Sequence, residues 1–341
     1  MLGSIYDKIV DVRNYLYDKG VFDTFDLGAR TISIGNITAG GTGKTPLVAF
    51  VASLLAERGE KVCILTRGYG REDAANRVLV SNGTNVLAGV RQSGDEPFEL
   101  ANKLLGKAIV IADADRVAAA EWARRKIGVT VFVLDDGFQH RKVKRDLDIV
   151  CIDATEPFGG GLMLPAGRLR EPLPNLERAD LVVITRADQV NSISDLRSDI
   201  SKWNEDAAIF ASRNKIKRMI ELSEFHAITS GTLRKEVGDT SALADQKAFA
   251  FCGIGNPKNF FSQLWQDHFE IPANKVFRDH HIYTQADIAE IEALARQAGA
   301  EIILTTAKDA VKLSDLKFEI PCYVVEIDVK LDDDDAFRSL L

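Results

Sequence analysis

The residues with the clearest chemistry lie between Thr31 and Pro46, TISIGNITAGGTGKTP, where three glycines, a lysine and a threonine follow a short apolar run. Ile32 and Ile34 read as part of a strand, and Gly40, Gly41 and Gly43 as the turn that ends it. Glycines leave backbone N–H groups free to point into one concavity, and a helix start adds the positive end of a dipole. Such a turn suits phosphate. Lys44 would reach the β- and γ-phosphates of a nucleotide, and the Thr45 hydroxyl would ligand Mg²⁺. The expected cradle covers Thr38, Ala39, Gly40, Gly41, Thr42, Gly43, Lys44 and Thr45, with Thr38 standing where the general pattern has glycine. A plain glycine turn beside a surface lysine would not explain why these residue types converge after a strand.

Acids and a histidine pair supply the remaining chemistry. The run Val131-Phe132-Val133-Leu134 ends in Asp135 and Asp136. Alone that pattern is common; downstream of a phosphate loop it reads as a strand that brings a carboxylate to the metal held by Thr45. Gly94-Asp95-Glu96-Pro97 opens a helix, with Asp95 expected as the N-cap and Pro97 in the first turn. Capping explains one acid, whereas two adjacent carboxylates after a glycine also suit metal binding or proton abstraction. Asp279-His280-His281 holds two of the five histidines at the end of an expected strand. A lone histidine is usually structural, but a pair flanked by aspartate is a credible proton acceptor for phosphoryl transfer.

Several cations could meet a second anionic group. Arg67-Gly68-Tyr69-Gly70-Arg71 ends a strand, and the alternative there is a solvated turn. Arg116 lies in a helix expected over Asp113 to Lys126, and Gln139 and His140 precede Arg141, Lys142, Lys144 and Arg145, either a landing site for an anionic headgroup or a solvated basic loop. Arg168 and Arg170 sit in a long loop with four prolines between residues 157 and 174; loops of that kind are usually functional or disordered, and the arginines favour function.

The elements that must position these residues follow from the rest of the chain. Its 341 residues fit two domains, and 46% hydrophobic with 27% charged residues is ordinary for a globular protein. A net charge of −7 argues against a nucleic acid partner. Cys63, Cys151, Cys252 and Cys322 are scattered singly, mostly in apolar runs, and read as core residues in a reducing compartment. No apolar run is long enough to cross a bilayer and no signal peptide opens the chain, so a cytoplasmic protein is expected. Strands and helices alternate, which predicts an α/β fold: a P-loop NTPase-like, mostly parallel sheet with helices on both faces, plus a second, smaller α/β domain.

The expected divisions are an amphipathic helix over 1–20, a P-loop core over 21–215, linker strands over 216–245 and a C-terminal α/β domain over 246–341. In the first helix Ile5, Ile9, Val12 and Leu16 share one face near Tyr6, Tyr15 and Tyr17, and that stripe suits either a membrane surface or its own domain's core. Gly253-Ile254-Gly255 lacks the third glycine of a dinucleotide fingerprint, and Asp332 to Asp335 reads as a solvated acidic tail.

Taken together, these motifs resemble the tetraacyldisaccharide 4′-kinase family of lipid A biosynthesis. The resemblance rests on Gly35-Asn36-Ile37-Thr38 running into Gly40-Gly41-Thr42-Gly43-Lys44-Thr45-Pro46, and on Arg67-Gly68-Tyr69-Gly70, Gly94-Asp95-Glu96-Pro97 and Asp135-Asp136-Gly137-Phe138-Gln139-His140. Leu164-Pro165-Ala166-Gly167, Gly253-Ile254-Gly255-Asn256-Pro257, Asp279-His280-His281-Ile282-Tyr283 and Lys308-Asp309-Ala310 extend it along almost the whole chain. Thr38 in place of glycine is typical of that family. The resemblance implies an ATP- and Mg²⁺-dependent kinase acting on the 4′-hydroxyl of a lipid A disaccharide 1-phosphate. It also implies a peripheral protein on the cytoplasmic face of the inner membrane, with Asp95 and His280 as the acid–base pair beside Lys44. Thr45, Asp135, Asp136 and Glu96 would then hold the metal. Arg67, Tyr69, Arg71, Arg116, Gln139, His140, Arg168 and Arg170 are the candidates for the lipid's 1-phosphate, its sugar or the transition-state charge.

Two other readings share the phosphate loop. A membrane-associated switch ATPase of the partitioning or targeting type carries a signature lysine just before the first glycine of the loop, where this chain has Ala39. A cytosolic small-molecule kinase would have no membrane affinity.

Overall fold

Apolar runs bounded by glycine, aspartate or threonine become strands that are buried on both faces, as parallel sheets require. The computed structural model describes residues 2–229, 243 and 246–341, with the backbone alone for residues 2–5, 228 and 229. In chain order the strands are β1 (Arg30–Asn36), β2 (Val62–Thr66), β3 (Val78–Ser81), β4 (Ala108–Ala112), β5 (Val131–Asp135) and β6 (Leu147–Asp153). They continue as β7 (Leu181–Thr185), β8 (Ala208–Glu221), β9 (Ala248–Cys252), β10 (Ala273–Val276), β11 (Ile302–Thr306) and β12 (Cys322–Leu331). Among the described residues they form one 12-stranded sheet in the order β10-β9-β11-β12-β8-β7-β6-β1-β5-β2-β4-β3. Neighbours are parallel except for β3 with β4 and β8 with β12.

Side-chain alternation builds a core on each face. Val62, Ile64, Val131 and Val133 pack with the helix Lys44–Glu57, while Cys63, Leu65, Phe132 and Leu134 pack with the helix Arg116–Ile127. Farther along, Val150, Ile152, Val182 and Ile184 meet the helix Ser194–Trp203. The expected α/β, P-loop NTPase-like arrangement is present. Beyond it β9 to β12 form a smaller α/β layer, with Phe261 and Leu264 of the helix Pro257–Gln266 on one face and Ile288 and Ile291 of the helix Gln285–Gln297 on the other.

The seam between the two halves differs from the expected linker. β8 runs without a break through residue 215 and pairs antiparallel with β12, from Ser212 opposite Leu331 to Glu221 opposite Tyr323. Residues Leu222–Thr229 then form a helix where strands were expected, because Leu222 and Phe225 are drawn into the C-terminal core. Most of the expected linker beyond 229 lies outside the described residues. The acidic tail is also corrected: Asp334–Leu340 is a helix whose Phe337 is fully buried, and Arg30 and Arg58 bond the carbonyl of Leu341 at 2.7 and 3.0 Å. All four cysteines are free and buried, as their apolar settings predict.

The N-terminal helix, Leu2–Asp18, turns Val10 and Asn14 inward and leaves Ile9, Val12 and Tyr15 about 60% exposed, at 61%, 58% and 59%. Asn14 donates to Glu171 at 3.2 Å and Arg13 to the carbonyl of Gln139 at 3.0 Å, which fixes the helix beside the loop that follows β5.

Candidate active site

The phosphate loop sits at the C-terminal end of β1, between the parallel strands β5 and β6, where α/β sheets gather ligands. Gly43 caps the helix Lys44–Glu57 in the left-handed region, at φ 80°, and a Cβ there would press on Thr185 at 3.3 Å. The loop is braced from β7: the Thr185 hydroxyl donates to the Thr42 carbonyl at 2.9 Å, and Arg186 donates to the Gly41 carbonyl at 2.7 Å. Arg186 is in turn held by a buried ion pair with Asp153. Ala39 through Pro46 line a cleft of about 820 Å³ between the two halves of the sheet. Thr38 lies outside that lining, bonded as a bridge to Leu169.

The carboxylates that line this cleft include Glu96, Asp135 and Asp136. Asp136 adopts φ 53°, lies 3.5 Å from the Lys44 ammonium and accepts two bonds from Arg170 at 2.8 and 2.9 Å. Burial pushes its pKa up, but those two cations outweigh burial and leave it below the usual carboxylate range. Asp135 is buried at the end of β5, and burial, with Glu96 and Asp136 adding repulsion, pushes it up to about 7. Acidic groups that resist ionising together are the surplus a divalent cation relieves. Among the described residues no set of three His, Cys, Asp or Glu forms a cage of its own. Mg²⁺ commonly shares one or two carboxylates with substrate phosphates and water, so the donor set fits that ion.

Asp95 does not cap its helix as expected. Gly94, at φ 90°, takes the cap position, and Asp95 is the first residue of Asp95–Lys103. A Cβ at residue 94 would strike the Tyr69 carbonyl at 2.7 Å, so only glycine allows this close entry. The Asp95 carboxylate instead reaches the C-terminal half, where Oδ2 lies 2.9 Å from Nδ1 of His280, a residue of the cleft lining. Burial works against the charge of Asp95, but bonds from His280 and Lys312 overcome it and hold the carboxyl at about 2. His280 stands at φ 61°, a backbone region most non-glycine residues avoid, in the loop after β10. His281 faces away, toward Asp287 at 3.3 Å.

The structure divides the expected anion-binding residues. Arg67, Tyr69 and Arg170 line the cleft. Arg71 does not: it is buried and donates to the carbonyls of Ala112 and Ala74 at 2.7 and 2.8 Å. Arg168 bonds the Ala39 carbonyl at 3.0 Å and Glu156, so it braces the loop from behind. Arg116, Gln139 and His140 lie outside the lining. Arg116 is buried in the field of Asp135 and Asp136, and Gln139 donates to the Asn36 carbonyl at 2.8 Å. Burial, with Arg116 and Arg145 nearby, pushes His140 down to about 4. Arg141 and Arg145 are spent on Asp18 and Asp148. Sequence reasoning missed Arg186, Asp153 and Lys312, because single charged residues near strand ends carry no distinctive spacing.

Comparison with known proteins decides the family. The family description "Tetraacyldisaccharide-1-P 4'-kinase" matches residues 1–341. The chain belongs to this family. It is a kinase, and the family's reaction is 4′-phosphorylation of a tetraacyldisaccharide 1-phosphate. A tetraacyldisaccharide 4′-kinase of Halothermothrix orenii is 38% identical over 97% of this chain and 88% of its own length. That of Geobacter metallireducens is 38% identical over 92% and 87%. A crystal structure of the Aquifex aeolicus family member LpxK, in complex with ATP, superposes with a TM-score of 0.78 at 32% identity, covering 100% of this chain and 98% of that one.

Proposed function

We propose that this kinase takes ATP and Mg²⁺ on its phosphate loop and transfers the γ-phosphate to the 4′-hydroxyl of a lipid A disaccharide 1-phosphate. The observation that carries the reading is the Asp95–His280 contact, 2.9 Å long, formed across the cleft from the phosphate loop. In this reading Lys44 and the amides of Gly40 to Thr45 hold the β- and γ-phosphates. Thr45, Asp136 and Asp135 would hold the metal, with Glu96 beside them, and a bound Mg²⁺ would neutralise charge on the transferred group. Asp95 takes the hydroxyl proton with help from His280, whose ring nitrogen shares it. A carboxylate held at about 2 is a weak base by itself, which is why the histidine belongs to the unit. Arg67 and Arg170, with Tyr69 tilted toward His280 at 6.2 Å between ring centroids, would orient the sugar.

We also propose peripheral attachment to the cytoplasmic face of the inner membrane through the N-terminal helix. The exposed Ile9, Val12 and Tyr15 continue into Val21, Phe22 and Phe25, which are also exposed, and such an apolar strip suits an interfacial helix. Leu16 is half-buried and the side chain of Ile5 lies outside the described residues, so the strip is displaced from the one expected. Among the described residues no helix is long and apolar enough to cross a membrane.

The test is label transfer. Purified protein, γ-labelled ATP and the disaccharide 1-phosphate in detergent micelles should put label on the lipid at the 4′ position. Label released only as inorganic phosphate would favour the switch ATPase instead.

A further inference from the structure

A third side chain reaches the Asp95–His280 pair. Lys312 follows the short helix Ala307–Ala310 of the C-terminal half, and its ammonium lies 2.9 Å from Asp95 Oδ2. The side chain is only 8% exposed, and Asp95 is its ion-pair partner; no other is seen among the described residues. Lys308, the other lysine of this segment, is committed to Asp279 at 3.1 Å. Removing an ammonium from water is costly unless a charge compensates, so a buried lysine aimed at a single carboxylate marks that carboxylate as the reason for its placement.

Lys312 and His280 hang from the same support. The N–H of Lys312 donates to the Asp309 carbonyl at 2.9 Å. The Asp309 carboxylate is fully buried and accepts from Gly253 N–H, the Tyr283 hydroxyl and the Thr306 hydroxyl at 3.0, 2.9 and 2.7 Å. Gly253 in turn accepts the N–H of His280 at 3.2 Å. Asp309 thus supports both groups that meet Asp95, Lys312 through its main-chain carbonyl and His280 through the Gly253 that its carboxylate holds, the kind of supporting shell that fixes a reacting side chain. Both side chains meet the same oxygen. Oδ2 takes His280 and Lys312, while Oδ1 accepts no hydrogen bond among the described residues. Two contacts on one oxygen fix the plane of a carboxylate and leave the other oxygen to meet a donor.

We propose that Lys312 is a positioning residue for phosphoryl transfer: it clamps Asp95 through Oδ2, so that Oδ1 is presented to the acceptor hydroxyl with His280 held on the same carboxylate. The inference rests on the acid–base reading of Asp95 and His280. In the step it serves, the hydroxyl O–H bond breaks and its proton passes to Asp95. The hydroxyl oxygen bonds the γ-phosphorus, and ADP leaves with the electron pair of the broken phosphoanhydride bond. Lys312 exchanges no atom.

A double-mutant cycle tests it, with kcat, the KM for ATP and the melting temperature measured for Lys312→Met, Lys312→Arg, Asp95→Asn and the Asp95→Asn, Lys312→Met double variant. A misplaced catalytic group costs up to about 100-fold in rate, so Lys312→Met should lower kcat roughly 10- to 100-fold while the KM for ATP stays within about twofold. Lys312→Arg should recover most of that loss. With Asp95→Asn already present, Lys312→Met should change the rate by less than about twofold, because the carboxylate it positions is gone. If Lys312→Met does not fold, Lys312→Gln takes its place in the cycle. An equal loss in both backgrounds, or no recovery by arginine in a protein of normal melting temperature, overturns the inference. An unchanged kcat in Asp95→Asn alone would instead overturn the acid–base reading beneath it.

Discussion

Lys44 stands 3.5 Å from Asp136 at the mouth of the phosphate loop, with its side chain 15% exposed and little apolar surface to lose. Lys44→Ala should therefore abolish label transfer and leave the melting temperature within a few degrees of wild type. Turnover near wild type at saturating ATP would remove the loop from the chemistry. His140 makes a different prediction at the same scale. Burial and the neighbouring Arg116 and Arg145 lower its pKa from the usual 6.5 to about 4. Below pH 6.5 the unfolded chain binds a proton at this residue that the folded chain refuses until about pH 4, so stability is complete above 6.5 and falls as pH drops toward 4. Urea unfolding at pH 7 and pH 5 should show a smaller loss for His140→Gln than for wild type; equal losses would contradict the burial argument. Lys44, Thr45, Asp95, Asp135, Asp136 and His280 were legible in the sequence because each sits at a fixed offset from a glycine, an apolar run or a second acid. Lys312 was not, since a lysine near a serine and an aspartate reads as surface until the chain folds over it.

Among the elements, the parallel strands were the most legible, because a run such as Val131 to Leu134, buried on both faces, has few other places to go. Less legible was the seam. Alternation along β8 predicts a strand, but its partner β12 lies more than a hundred residues later, and no local signal announces that pairing. The tail failed for a related reason: four aspartates advertise solvent, while one phenylalanine behind them, Phe337, decides where the segment packs. The N-terminal helix carries the prediction for this scale. Ile9 and Val12 face outward at 61% and 58% exposure, so Ile9→Asp with Val12→Asp should weaken liposome binding and barely move the melting temperature. A large loss of stability with unaltered liposome binding would show that this face packs on protein.

At the scale of the whole molecule, the sheet is continuous, yet the chemistry is divided between its halves. The phosphate loop, the acids proposed to hold the metal and Asp95 belong to the half built on β1 to β8, while His280 and Lys312 belong to the half built on β9 to β12. The antiparallel β8–β12 pair sets the spacing between the halves. The sequence placed Asp95 and His280 in one unit only through resemblance, because 185 positions separate them and no pattern in either segment points to the other. The central claim is that these two residues act as a single acid–base unit across the cleft. The measurement is kcat for 4′-phosphorylation in wild type, Asp95→Ala, His280→Ala and the double variant. Each single change should lower kcat by about 10²- to 10⁴-fold, and the double variant should be scarcely worse than the more damaging single one. Losses that multiply in the double variant would show two residues acting independently, and the account of a shared unit would be wrong.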